Sequence, residues 1–207
     1  MVTRAYINNN TPFVSLLIVG LLFISNGLTL LFEGLSDEFL LFPQDIKQVG
    51  KWYKLLTYPF YVGGLAQWLH SAIVILMSGY VLERRLTKEK VIGLMALSSI
   101  TGGLIFSLIK VNTLALNVPI ASPTMITWGV SSCAFVLVIK QIKASTLLDK
   151  IVAGLYLVSL LSMDFIDLGF AMGQVAVILL GLAYGLAFGR IKENATSSDF
   201  AKSWLDE

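Results

Sequence analysis

The residues able to do chemistry are few, and they sit in apolar surroundings. The chain has one histidine, His70, and one cysteine, Cys133. His70 lies in Gln67-Trp68-Leu69-His70-Ser71, where positions 67, 70 and 71 are three and four residues apart and share one helix face. A second polar group comprises Ser122, Thr124 and Thr127, followed by Ser131 and Ser132; a third is the lone Gln174. A hydroxyl beside an imidazole is the raw material of nucleophilic catalysis, in which a base within hydrogen-bond reach activates Ser or Thr. One His and one Cys, without clustered acids, do not make a metal site of the usual composition. No Gly-x4-Gly-Lys-Ser/Thr phosphate loop is present, so neither metal nor cofactor is expected. Cys133, inside an apolar run, reads as a small packing residue.

The elements that must position these groups are membrane helices. Of 207 residues, 56% are hydrophobic and 14% charged, with mean hydropathy +0.79. A soluble domain has roughly 45–50% apolar and about 25% charged residues. At about 20 apolar residues per crossing, the chain holds enough for roughly six spans and little else. A net charge of +2 is too small to suggest nucleic acid as a partner. Apolar runs between polar clusters predict spans at 12–32, 65–82, 91–109, 122–139, 148–161 and 169–188. The run after Thr11 is too long for a signal-peptide core and reads as a retained first span. The expected organisation is an N-terminal segment 1–11, one six-helix membrane domain 12–189 with an outer loop 33–64, and a tail 190–207.

Charge sets the expected orientation. With both ends cytoplasmic, 11 of the 15 basic residues fall on the inner side, among them Arg4, Arg84, Arg85, Lys88 and Lys90. The outer side holds Lys47, Lys51, Lys54 and Lys110, and the link between spans five and six carries Asp164 and Asp167 without a base. The outer loop is rich in Trp52, Tyr53, Tyr58, Phe60 and Tyr61, so it is expected to lie in the membrane interface. Spans two, four and six all start at the outer leaflet, where Gln67, His70, Ser71, Thr124 and Gln174 can form one polar cluster. Gly169, Gly173, Gly181, Gly185 and Gly189 form a ladder at intervals of four, broken at Val177; with Gly102, Gly103 and Gly129 they predict close helix crossings. The middle of the bundle is essentially uncharged, unlike the ionisable pathway of a transporter.

The stretch Lys51-Trp52-Tyr53-Lys54-Leu55-Leu56-Thr57-Tyr58-Pro59-Phe60 resembles the first-loop signature of the rhomboid superfamily. The similarity continues into Gly79-Tyr80-Val81-Leu82-Glu83-Arg84-Arg85, like that family's Gly-x-x-Leu-Glu close of the second span. Ser122-Pro123-Thr124-Met125-Ile126-Thr127-Trp128-Gly129 falls where rhomboids carry Gly-x-Ser-Gly-x-x-x-Gly. The resemblance implies a six-span bundle with a Ser–His dyad, serine in span four and histidine in span six, assisted by His and Asn in span two. Carried over, the nucleophile position is Thr124, flanked by Ser122 and Met125; the span-two positions are Gln67 and Ser71; the span-six histidine position is Ala171, or Phe170 with a one-residue slip. The only histidine is thus in the wrong span, and a hydroxyl without a base is a weak nucleophile.

The expectation is therefore a catalytically inactive, rhomboid-like, multi-pass protein of a bacterial inner membrane. Its partners would be membrane lipid and transmembrane segments of other proteins, contacted through Trp52, Lys54, Tyr58 and Phe60 of the loop. Two alternatives remain: an atypical protease using Thr124 with His70, and a structural subunit of a membrane complex. The tail supports the subunit slightly, since Phe200 and Trp204 align at i, i+4, although it also suits an interfacial anchor.

Overall fold

The computed structural model describes residues 11–32, 34–46, 51–115, 117–160 and 167–188. Expectations for Arg4, Lys47, Asp164, Gly189, Phe200 and Trp204 lie outside these residues. The described chain is helical, and its only strand-like pairing is an antiparallel bridge between Leu41 and Ile120. The helices are α1 (Phe13–Leu31), α2 (Leu35–Phe39), α3 (Lys54–Thr57), α4 (Leu65–Glu83), α5 (Lys88–Asn112), α6 (Thr124–Lys140), α7 (Leu147–Leu160) and α8 (Leu168–Phe188). Short 3₁₀ turns at Pro43–Ile46 and Tyr58–Phe60 flank α3. The six longer helices match the six apolar runs to within three residues at either end.

Four of them, α1, α4, α5 and α8, are long and apolar enough to cross a membrane, so the chain has the make-up of a membrane-embedded protein. The other two are shorter, 17 residues in α6 and 14 in α7. For α6 there is a packing reason for the mixed composition. It runs through the middle of the bundle, in contact with α4, α5, α7 and α8, and most of its side chains are buried. A helix shielded from lipid by protein can carry Thr127, Ser131 and Ser132, and each hydroxyl donates back to a carbonyl of its own helix one turn earlier.

Small residues set how closely these helices approach. A Cβ built on Gly181 of α8 would overlap the Gly129 carbonyl oxygen and Ser132 Oγ of α6. On Gly185 it would lie 2.9 Å from Val136 Cβ and 3.1 Å from the Cys133 carbonyl oxygen. Gly129 in turn abuts Ser98 of α5. Higher up, Met125 fills the space between helices: a Cβ on Gly102 would sit 2.5 Å from its Cγ, and one on Gly173 2.8 Å from its Cε. The glycine ladder is thus a packing seam, where backbone meets backbone and dispersion contacts are dense.

The helix ends are tied by charge. Glu83, at the C-terminus of α4, accepts the N–H groups of Val14 and Ser15 at 2.9 Å each and the Ser15 hydroxyl at 2.7 Å. A carboxylate thereby satisfies donors that the first turn of α1 leaves open. Gly79 lets this happen, since any Cβ there would collide with Ser15. Arg85 donates to Asp149 at 2.9 Å and to Ser145 at 3.0 Å, fastening α4 to the start of α7. Asp149 also accepts the Thr146 N–H, while its own N–H donates to Thr146 Oγ1, the reciprocal arrangement of a capping box.

Gly181→Ala is expected to destabilise the protein by about 1–3 kcal/mol, because its methyl meets backbone that cannot rotate away. Gly154→Ala, with nothing within 4 Å of its Cβ, should stay at or slightly above the wild-type midpoint. Thermal unfolding of both variants in one detergent compares them.

Candidate functional site

The polar residues of three helix starts converge. Gln67 and His70 on α4, Thr124, Thr127 and Ser131 on α6, and Gln174 on α8 line one cavity of about 240 Å³. Trp128, Phe170, Val74 and Ser159 complete its wall. The periodicity that puts 67 and 70 on one face, and 124, 127 and 131 on another, produces this convergence. Ser71 belongs to the same stripe of α4 but is buried away from the cavity, as is Ser132, which faces Gly181.

Within the cavity a short chain of hydrogen bonds runs from α4 to α6. Gln67 Nε2 donates to Ser122 Oγ at 2.8 Å, and the Ser122 and Thr124 hydroxyls are bonded to each other. Ser122 also accepts the Thr124 N–H at 3.2 Å, serving as a cap for α6 just after Pro123. Thr124 is therefore held by Ser122, and among the described residues no hydrogen bond joins it to His70, although both border the cavity. Ala171 is buried in α8 and contributes only a methyl group. Gln174 is 3% exposed, and its carboxamide makes no hydrogen bond among the described residues, with Oε1 wholly shielded.

A second pocket, about 320 Å³, opens from the same place toward the side of the bundle, between α4 and α7. It shares His70, Val74, Ser131 and Ser159 with the polar cavity, and continues along Ile73, Met77, Leu155 and Val158. Ile73, Leu155 and Val158 are each at least half exposed, and α4 and α7 scarcely touch. A lateral apolar seam thus leads into a polar end. Ser159 was not among the expected site residues, and a lone serine in the apolar run of α7 was the available signal for it; Phe170, the alternative position for the span-six histidine, borders the cavity.

The outer loop departs from the expectation of a segment resting in the interface. Trp52 is 51% exposed and suits a lipid-facing aromatic, but Tyr58 is fully buried and Lys54 is 4% exposed. Tyr58 donates to the Ser99 carbonyl of α5 at 3.0 Å, and the Ser99 hydroxyl returns a bond to the Leu55 carbonyl. Burial pushes the Tyr58 phenol well above its ordinary value. Gly103 makes room, with Leu41, Leu55 and Tyr58 each 3.0 Å from where its Cβ would be. Phe60 is partly buried against the core, and its carbonyl accepts from Ser25 and Asn26 of α1. Asn26 Oδ1 also accepts the Val62 N–H at 2.9 Å. Lys54 donates to the Asp37 carbonyl at 2.9 Å and pairs with buried Asp45 at 3.3 Å. Aromatic composition alone does not separate an interfacial loop from one plugged into the bundle; the buried partners decide it.

At the same end of the molecule Lys110 pairs with Asp167 at 2.6 Å, joining the end of α5 to the start of α8. Partial burial pushes the Asp167 carboxyl up, but Lys110 and the N–H groups of Phe170 and Gly169 outweigh it, and the net direction is down. Among the described residues no group of His, Cys, Asp or Glu could hold a metal ion. No protein-family model matches the chain, and no curated protein or solved structure matches it.

Lys54→Met is expected to cost roughly 3 kcal/mol, the low end for stranding a buried charge, because Lys51 and the Phe42 N–H still face Asp45. Adding Asp45→Asn should recover most of that loss. A double-mutant cycle on thermal unfolding measures the coupling.

Proposed function

We propose that the chain is a rhomboid-like, six-span membrane protein without protease activity that receives the transmembrane segment of another protein against its α4–α7 side. The observation that carries this reading is the lateral seam between α4 and α7, apolar along its length and ending in the polar cavity. In lipid, apolar walls alone offer a helix no advantage over acyl chains, whereas a polar group inside the bilayer gains a partner by docking at a polar end. An acyl chain has nothing to offer that end, which favours a protein segment as the occupant.

The chemistry at the cavity supports binding over catalysis. Thr124 stands at the nucleophile position and is bonded to Ser122, which itself accepts from Gln67. The histidine position of span six is a methyl side chain, Ala171. Without a base on its hydroxyl Thr124 is not activated. Gly79 and Glu83 of the rhomboid-like Gly-x-x-Leu-Glu stretch do structural work, docking α1 onto α4.

The proposed orientation has both chain ends in the cytoplasm of a bacterial inner membrane. The cluster of Arg84, Arg85, Lys88 and Lys90 lies at the end of the bundle where α7 begins, as the Arg85–Asp149 pair requires. Lys140 caps the C-terminus of α8 at that end, donating to the Leu186 carbonyl at 2.8 Å. A bundle with its basic loops gathered at one end follows the positive-inside pattern.

A photo-crosslinking residue at Val158, facing the seam, is expected to label membrane-spanning residues of single-pass proteins, mapped by mass spectrometry on the crosslinked peptides. The same residue at Leu30, 88% exposed on α1, serves as control. Adducts to lipid alone, or the same proteins from both positions, would overturn the docking reading. Reconstituted wild-type protein should leave a panel of single-pass substrates intact; cleavage lost in both Thr124→Ala and His70→Ala would overturn the inactive reading.

A further inference from the structure

We infer that the polar end of the seam is a neutral carboxamide socket, which selects partner segments carrying Asn or Gln near the outer end of their membrane span. The inference rests on the docking reading above and specifies the chemistry of its occupant.

Gln174 is the starting point. Its side chain is almost wholly buried, borders the cavity and makes no hydrogen bond among the described residues. A buried polar group without a partner is costly, so a group that supplies one is held. The terminal torsion of a glutamine is broad and roughly two-fold, so either edge of the amide can be turned to the cavity. A partner that both donates and accepts satisfies either orientation.

The neighbouring groups narrow the choice. Thr127 Oγ1 already donates to the Thr124 carbonyl at 2.7 Å, and Ser131 Oγ donates to the Thr127 carbonyl at 2.6 Å. With their protons committed to the helix, these hydroxyls can offer only lone pairs to the cavity. The socket is therefore rich in acceptors beside one unpaired amide, Gln174, since Gln67, the other carboxamide of the lining, already donates to Ser122. The NH₂ group of a carboxamide brings two donors, and its oxygen accepts one bond in return. A hydroxyl brings a single donor and matches less of the wall.

Charge excludes the remaining donors. Lys and Arg bring more N–H groups, but no carboxylate lines the cavity, and His70 is its only titratable side chain. An ammonium or guanidinium there would stand uncompensated in a membrane-embedded site. Carboxylates fail in turn, since no Lys or Arg lines the cavity to pair with one and the Thr127 and Ser131 lone pairs repel it. The neutral amide is the class that remains.

The test uses the full-length protein in liposomes with synthetic, Leu/Ala-based spanning peptides of about 20 apolar residues. Each carries a photo-reactive leucine next to one guest position, occupied by Leu, Asn, Lys or Glu, one turn from the outer end. The Asn peptide is expected to crosslink to α4 and α7 roughly three- to tenfold more than the Leu peptide, the scale of an interhelical hydrogen bond in a bilayer. The Lys and Glu peptides should not exceed the Leu peptide. Gln174→Met, which keeps volume and removes the amide, should bring the Asn peptide down to the Leu level and leave the Leu peptide unchanged. If that variant is not recovered folded, Gln174→Asn withdraws the amide by one methylene and reads the same loss. Equal labelling of the seam by Asn and Leu peptides overturns the socket while the docking reading stands. An Asn preference that survives Gln174→Met overturns the role of Gln174. No labelling of the seam by any peptide overturns the docking reading and the socket with it.

Discussion

The close approach of α6 and α8 is the constraint on which the rest depends. At Gly129 and Gly181 the two helices meet with backbone against backbone, and a single methyl at either position would overlap a neighbouring atom. Because α6 meets α8 there through the Gly129 carbonyl and the short Ser98 side chain of α5 on its other side, little space is left for the central helix to shift. Everything at the outer end of α6, from the Ser122 cap to Thr124 and Thr127, inherits its placement from that crossing. In a bilayer this is the expected way to hold helices together, since burying apolar surface away from lipid gains little.

Such rigidity at the seam contrasts with the α4–α7 side. Four helices hold α6 along its length, yet α4 and α7 meet each other only weakly, chiefly through the Arg85–Asp149 pair at the basic end. Away from that tie, the gap between them widens into the apolar pocket. The same central helix thus supplies a fixed wall on one side and an open one on the other. An opening toward lipid that ends in polar groups is stable only if those groups are otherwise satisfied. Thr127 and Ser131 manage this by bonding to their own helix; Gln174 does not.

Much of this was legible in the residues. Apolar runs located all six long helices, the glycine intervals marked the α6–α8 seam, and the i, i+3 and i, i+4 spacings placed Gln67, His70, Thr124 and Gln174 at one cavity. The outer loop was less readable. Trp52 is exposed as its amphipathic character suggests, but Lys54 and Tyr58 are buried through partners far away in sequence, Asp45 and the Ser99 carbonyl. Aromatic and basic side chains suit both a headgroup layer and a hydrogen-bonded plug, and only tertiary contacts distinguish them. Ser71 illustrates the converse limit: helical spacing places it on the right stripe, but the stripe is wider than the cavity it borders.

The scarcity of polar side chains gives the few that remain their meaning. In a water-filled cleft an unpaired glutamine would be unremarked, because solvent completes its bonds at little cost. Here the Gln174 carboxamide oxygen is shielded without a partner, and the neighbouring Thr127 and Ser131 hydroxyls have given their protons to helix carbonyls. The role proposed for the cavity therefore differs from a catalytic one in kind. Catalysis by a hydroxyl needs a proton acceptor aimed at it, and Thr124 is instead held by Ser122. Recognition of a neutral amide needs lone pairs and one matching amide, and Thr127, Ser131 and Gln174 supply them from two helices whose separation is fixed by Gly129 and Gly181. The close glycine crossing and the polar socket are thus two consequences of one arrangement, in which α6 packs closely against α8 and is buried along most of its length.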